Sequence, residues 1–290
     1  MSLGIAFKGP EGIVLAADSR VTLFAEREVL GSGQVHLLPS SFDNARKLLQ
    51  FKSHSYVGAV TYGLGALGQD QPRTAHSFLP EFDDELQEEL KAQDKRRLST
   101  KQFAQKLSDF FLRQWEKAKM PNAAEYRGEP MIFLVGGYDE GEPYGSVFDF
   151  VIPNRPQPVE QNSDTFGVIW GGQSEVVHRL LNGFDDRLPE AVEPYIDKGE
   201  MSLEELTVSL KQKLSQPIPY QFLSLQDSVD FSVFLIRSTI DLQRFQVGVR
   251  GVGGDIDVAI ITRVNGFQSV RQKVVQVRQN DYSGVGEGWD

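Results

Sequence analysis

The first twenty residues, MSLGIAFKGPEGIVLAADSR, constrain the fold more than any other part of the chain. Two runs rich in apolar and β-branched residues, 3–8 and 13–20, flank the tight turn sequence GPEG. This pattern predicts an antiparallel β-hairpin whose first strand begins at the chain terminus. Ser2 therefore stands at the very start of a strand.

The position of Ser2 makes it a candidate nucleophile. Met aminopeptidases remove a Met that precedes a small residue, so we expect the mature chain to begin at Ser2. A terminal serine carries a hydroxyl and an α-amine on one residue, and the amine can serve as base for the hydroxyl. Because an α-amine has a pKa of roughly 7.7–8.0, part of it is neutral at pH 7 and can accept a proton.

Later segments of the chain combine strand patterns with glycine or charged residues. Asp18 and Arg20 lie two positions apart on the second predicted strand, so they face the same side. The other segments are NARKLLQF with Lys47, VGAVTYGLGALG (57–68) with Gly63, MIFLVGGYDEGEPYGSVFDFVIP (131–153), FGVIWGGQSEVVHRLL (166–181) and IDVAIITRVNGF (256–267).

In this order the segments resemble those of proteasome β-subunits and the bacterial peptidase HslV. In that family a mature N-terminal nucleophile, usually Thr, precedes an Asp by sixteen positions, and Ser2 precedes Asp18 by the same sixteen. The resemblance covers roughly residues 2–276. It implies an α+β fold, a four-layer αββα sandwich of two antiparallel sheets flanked by helices, as in N-terminal nucleophile (Ntn) hydrolases.

The resemblance also implies roles for individual residues. Ser2 would attack a peptide bond, Lys47 and Asp18 would tune it together with Arg20, and the Gly63 N–H would stabilise the oxyanion. The residues implied to line the substrate pocket are Val21, Ala45, Leu49, Thr61 and Gly65, and those in auxiliary positions are Gly172 and Ser174. Because none of the lining residues is charged, the pocket is expected to take apolar side chains.

The family further implies a peptide or unfolded protein as substrate and a homo-oligomer built as a ring or stacked ring, with any ATPase regulator left open. Two other functions remain open on the residues alone. One is an amide hydrolase of the same superfamily that acts on a small non-peptide amide. The other is a catalytically silent structural subunit, since fold does not imply activity. In that case Ser2 merely permits Met removal.

Composition excludes several other functions. The net charge is −10, which disfavours nucleic acid, and no apolar run approaches the length of a transmembrane helix. Neither a signal peptide nor a cysteine is present, so we expect a cytoplasmic protein. The four histidines are scattered without metal spacing, and GLGALG (63–68) lacks the second strand of a dinucleotide fold. We therefore expect no metal and no cofactor.

The chain contains no Gly/Ser-rich linker, so we expect a single domain over residues 1–290. A long inserted loop is predicted over about 21–44, a polar connection over 154–165 and a flexible tail over about 278–290. Helical spacing of apolar residues predicts two helices within 77–120 and others at 204–214 and 225–243. The last of these is so apolar that we expect burial around most of its circumference.

Overall fold

The computed structural model describes residues 2–28, 35–68, 71–195 and 202–273. These residues form a mixed α+β structure with antiparallel sheets and helices. The strands are β1 Leu3–Lys8, β2 Ile13–Ala17, β3 Val21–Glu28, β4 Val35–Phe42, β5 Leu48–Gln50, β6 Val57–Gly63, β7 Ala66–Leu67, β8 Arg73–Thr74, β9 Met131–Gly137, β10 Ser146–Ile152, β11 Arg155–Gln161, β12 Gly167–Gly172, β13 Asp257–Thr262 and β14 Gly266–Arg271. The α-helices are α1 Leu79–Ala92, α2 Thr100–Lys117, α3 Glu175–Asn182, α4 Leu188–Val192, α5 Leu203–Leu214 and α6 Leu225–Arg244.

Two five-stranded sheets hold most of the strands. The first has the order β12-β1-β2-β13-β14, and the second has the order β11-β10-β9-β6-β5. The predicted hairpin β1–β2 lies in the middle of the first sheet, where Leu3 pairs with Gly172 and Gly4 with Ala17. The start of β1 is therefore held between two neighbouring strands.

Alternation of side chains along β1 explains why the whole strand is buried. Leu3, Ile5 and Phe7 pack with apolar residues of α3 and α6, whereas Ala6 faces residues of the second sheet. Successive side chains of a strand point to opposite faces, so a strand covered on both faces is apolar throughout. The uninterrupted apolar run of this segment reflects that double coverage.

Three apolar clusters connect the sheets and helices. The first joins the second sheet to α1 and α2, the second joins the first sheet to α3 and α6, and the third contains residues of both sheets. The first cluster is the most aromatic, with Phe82 and Phe103 of the two helices at 5.4 Å between ring centroids. Edge-to-face pairs of this kind stabilise the core beyond the effect of the apolar area that they bury.

Local signals account for the helix starts. Ser99 and Ser224 cap α2 and α6 with reciprocal capping boxes, which satisfy backbone N–H groups that the first turn leaves unpaired. The predicted helix 225–243 buries Val229, Leu235 and Ile236 on one side, whereas Phe234 and Leu242 on another side are exposed. Within the described ranges, no helix is both long and apolar enough to cross a membrane.

Two predicted connections are strands in the structure. The segment 21–44 contains β3 and β4, which pair as an antiparallel two-stranded sheet with Val21 opposite Phe42. The polar connection contains β11, an edge strand whose polar side chains are tolerated because only one side pairs with a neighbour. The predicted tail, 278–290, lies outside the described residues.

Candidate active site

Asp18 is the centre of the site. It follows β2, is 0% exposed, and accepts four hydrogen bonds. Oδ1 accepts from the Leu3 N–H at 3.0 Å and from Lys47 Nζ at 2.7 Å. Oδ2 accepts from the backbone N–H groups of Arg20 and Gly253, each at 3.0 Å. One carboxylate thus ties three separate parts of the chain to the start of β1.

Lys47 is a buried cation, with 5% of its surface exposed. Its ammonium donates to Asp18 and also to the Arg20 carbonyl at 2.6 Å. Burial lowers the pKa of Lys47, Asp18 acts in the opposite direction, and the charge of Lys273 lowers the pKa further. The net result is an ammonium that releases its proton more readily than an exposed lysine.

Ser2 is held in place through its backbone. Its carbonyl accepts a hydrogen bond from the Gln173 N–H at 2.8 Å, and the N–H of the next residue donates to Asp18. Gly172 permits this approach: its φ is +100°, and a Cβ there would lie 1.9 Å from the Ser2 carbonyl oxygen. The predicted auxiliary glycine therefore positions the backbone of Ser2.

Ser2 and Lys47 line one cavity of about 130 Å³. Gly63 lines it too, at the end of β6, where a φ of +83° and a close contact to the Pro130 carbonyl require glycine. The predicted substrate-pocket residues that also line it are Val21, Ala45, Thr61 and Gly65. The structure therefore brings most of the predicted site residues around one space.

Besides Asp18 and Gly172, three predicted site residues are absent from the cavity lining. Leu49 is buried in the cluster with α1 and α2 and does not line the cavity, because its side chain packs toward those helices. The guanidinium of Arg20 binds Asp43 at 2.6 and 2.8 Å outside the cavity, so only its backbone serves the site. Ser174 precedes α3 and is likewise absent from the lining.

Charged residues that were not predicted to line the pocket also contribute to the cavity. Arg46 and Glu129 line the cavity along with Lys47, and both are exposed. The first residues of β3, which belong to the predicted loop, add Thr22 and Leu23 to the lining. The cavity therefore has one buried charged side chain, Lys47, and two exposed ones.

A chain of hydrogen bonds through two glutamines lies next to Ser2 and was not predicted. We call it the polar relay. The Gln243 side chain on α6 donates to the Gln173 side chain at 2.7 Å and accepts from the Val252 N–H at 3.0 Å. The neighbouring Gly253 N–H binds Asp18, so the relay links both ends of the site. Glutamines scattered over seventy positions carry no motif, which is why sequence reasoning missed them.

A second buried ion pair lies beside the first. Lys273 Nζ donates to Asp257 at 2.7 Å and to the Ser19 hydroxyl at 2.8 Å. Asp257 begins β13, so the one signal available from sequence was an acidic residue at the start of an apolar strand. Among the described residues, no group of three or more His, Cys, Asp or Glu side chains could hold a metal ion.

Comparisons with known proteins do not assign the chain to a family. No family model matches the sequence, and no curated protein matches it. Among solved structures, the Anbu (Gly-1) mutant from Hyphomicrobium sp. strain MC1 is 16% identical, and the alignment covers 97% of this chain and 89% of that chain with a TM-score of 0.48. A similarity at this level carries no argument about activity.

The assignment to proteasome β-subunits and HslV is therefore wrong. It depended on short segments in a shared order, and the comparisons return no match to any family model. The chemistry of the site must be inferred from the geometry of its own residues.

Proposed function

We propose that the protein is a hydrolase that cleaves peptide bonds with Ser2 as an N-terminal nucleophile after Met1 is removed. The observation that supports it most is the double role of Asp18. Its Oδ1 binds both the N–H that follows Ser2 and the ammonium of Lys47, and Ser2 and Lys47 line the same cavity. A hydroxyl, an α-amine and a buried cation would then share one small space.

These groups determine the chemistry. Ser2 Oγ attacks the substrate carbonyl carbon while the α-amine accepts the hydroxyl proton, directly or through water. The nearby Lys47 charge favours the neutral amine by like-charge repulsion. The Gly63 N–H is proposed to donate to the oxyanion. Collapse expels the leaving amine, which takes the proton, and water then hydrolyses the acyl ester and regenerates Ser2.

The cavity suggests the size of the group it would accept. Its volume of about 130 Å³ is close to the ~150 Å³ of an engineered protein cavity that holds benzene. Its buried lining includes Thr61 and Ala75 beside Lys47, whose charge is paired with Asp18, whereas the charged Arg46 and Glu129 are exposed. We propose that it accepts an uncharged side chain up to the size of an aromatic ring.

The test begins with the intact mass of the purified protein, which reports whether Met1 is gone. Peptide-library turnover and covalent labelling by an electrophile directed at N-terminal nucleophiles are then measured for Ser2→Ala, Ser2→Thr and Ser174→Ala. Loss of a covalent nucleophile costs several orders of magnitude in rate, so Ser2→Ala should be inactive. Ser2→Thr retains hydroxyl and amine and should be active, and Ser174→Ala is the control for a nearby serine outside the cavity.

Other outcomes identify the remaining functions. Turnover in Ser2→Ala refutes the N-terminal nucleophile. Hydrolysis of small acyl amides without peptides assigns an amide hydrolase with a non-peptide substrate. A mature, folded protein that is neither labelled nor active is a structural subunit. Assembly into a homo-oligomer and a cytoplasmic location stay predictions, and native mass measures the first.

We also propose that the chain is one domain with the layer order helix, sheet, sheet, helix. The three apolar clusters support this order, because each joins a different adjacent pair of layers. In that arrangement the site would lie at the end of the space between the two sheets.

A further inference from the structure

Lys273 is a buried lysine that the proposed mechanism does not use. It follows β14, and only 6% of its side chain is exposed. Its ammonium has three acceptors: Asp257 Oδ2, Ser19 Oγ and the Ala45 carbonyl. The backbone N–H of Lys273 also donates to Asp257 Oδ1 at 3.0 Å, so the residue is held at both ends.

These contacts join three segments that build the site. Asp257 begins β13, Ser19 directly follows Asp18, and Ala45 lines the cavity two residues before Lys47. The Ala45 N–H donates to the Ser19 carbonyl at 2.9 Å, while the Ala45 carbonyl accepts from Lys273. The N–H and the carbonyl of Ala45 are therefore both linked to Ser19, the first directly and the second through Lys273.

The charge of Lys273 also reaches the site. It lowers the pKa of Lys47, in the same direction as burial, while Asp18 and Glu129 oppose it. It also lowers the pKa of His76, together with burial and Arg46. The site thus contains two buried lysines, each with its own aspartate, close enough for one ammonium to influence the other.

We propose that Lys273 is a positioning residue that holds the cavity wall at Ala45, and with it Lys47, in register with Asp18. The catalytic consequence rests on the proposed function, whereas the effect on Lys47 does not. An ion pair that only stabilises the fold would change the melting temperature, and once both of its charges are removed together it would leave the protonation of Lys47 unchanged. The two roles therefore differ in a measurable quantity.

The main variant is Lys273→Met, which keeps a long side chain and removes the charge. It leaves Asp257 buried without a cation, which is costly, so Lys273→Met with Asp257→Asn is the second variant. The control is Lys8→Met. Lys8 is another buried lysine, whose ammonium binds the carbonyls of Asn162 and Ser163, and it lies at the opposite end of β1 from Ser2.

The first measurement is an NMR titration of the Lys47 ammonium in protein labelled with 15N-lysine. Lys273→Met should raise the pKa of Lys47 because a repelling charge is removed. The double variant should raise it less, since the charge of Asp257 is removed as well. Lys8→Met should not change it. An unchanged Lys47 titration in folded Lys273 variants would overturn the proposal.

The second measurement is kcat/KM with the best library peptide. Displacement of the wall should lower it by up to about 100-fold in both Lys273 variants, with no such loss in Lys8→Met. Full activity in a folded double variant would also overturn the proposal. If the wild-type protein itself shows no turnover, the proposed function fails, and the Lys47 titration still decides the role of Lys273.

Discussion

Asp18→Asn and Lys47→Met break the same ion pair from opposite sides, and we expect them to differ in cost. Lys47→Met leaves the Asp18 carboxylate with three backbone N–H donors, those of Leu3, Arg20 and Gly253. Asp18→Asn leaves the Lys47 ammonium buried without a counter-charge. In the asparagine an NH₂ group replaces one carboxylate oxygen. The two donors that were hydrogen-bonded to that oxygen then lose their acceptor.

The hydrogen bonds give the magnitudes. Breaking a buried pair by removing one partner costs about 3–5 kcal/mol when the other charge is left uncompensated, which is the case for Asp18→Asn. Lys47→Met removes one charge-assisted bond from a carboxylate that keeps its others, for about 1.5–3 kcal/mol. At roughly 2 °C per kcal/mol for a chain of this size, the melting temperature should fall by about 6–10 °C and 3–6 °C respectively.

The pH dependence of the Asp18→Asn deficit follows from the lowered pKa of Lys47. Between that lowered value and the ordinary value of 10.5, the unfolded chain binds more protons than the folded one, so stability rises with pH. Asp18 raises the pKa of Lys47, so the loss of Asp18 lowers that pKa further. The pH range over which stability rises then begins at a lower pH. The Asp18→Asn deficit should therefore shrink as the pH rises from neutral toward 10.5.

Denaturant and thermal unfolding at several pH values measure these effects, and both variants and the double variant are compared with wild type. The double variant should cost less than the sum of the single ones, because the two residues form one unit. A Lys47→Met loss as large as that of Asp18→Asn would refute the reasoning. So would an Asp18→Asn deficit that stays constant or grows as the pH rises.

Two further predictions concern the cavity wall and the support of Ser2. Thr61 Oγ1 is buried without a hydrogen-bond partner among the described residues, so Thr61→Val should raise the free energy of unfolding by about 1 kcal/mol; a clear loss in denaturant unfolding would show that the hydroxyl is satisfied in solution. Gly172→Ala should destabilise by about 1–3 kcal/mol and slow the labelling of Ser2, because its Cβ would meet the Ser2 carbonyl. Gly141→Ala is the matched control, with a φ of +85° and nothing within 4 Å; equal effects of the two substitutions on labelling would show that Gly172 does not position Ser2.

Local signals predicted the regular elements well where the signal and the structure depend on the same few residues. The hairpin β1–β2 follows from GPEG between two apolar runs. The helices α1 and α2 follow from the helical spacing of apolar residues within 77–120. The strands in 21–44 and 155–161 were missed because polar edge strands lack the apolar pattern by which buried strands are identified.

The candidate site shows the same difference between residues that local patterns identify and residues that they do not. The sequence by itself predicted Ser2, Asp18, Lys47 and Gly63, although the family resemblance that suggested their roles proved wrong. It could not place Leu49, since Leu48 and Leu49 are equally apolar and face opposite sides of a three-residue strand.

Only the tertiary structure identified the supports of the site. Lys273 and Ser19 are separated by 254 positions, and Gln243 and Gln173 by 70, yet each pair is hydrogen-bonded. The sequence determined the strand that follows Ser2 and the charges available to the site. The packing of the chain decided which charges meet, because hydrogen bonds between distant segments depend on how those segments are arranged and leave no local pattern.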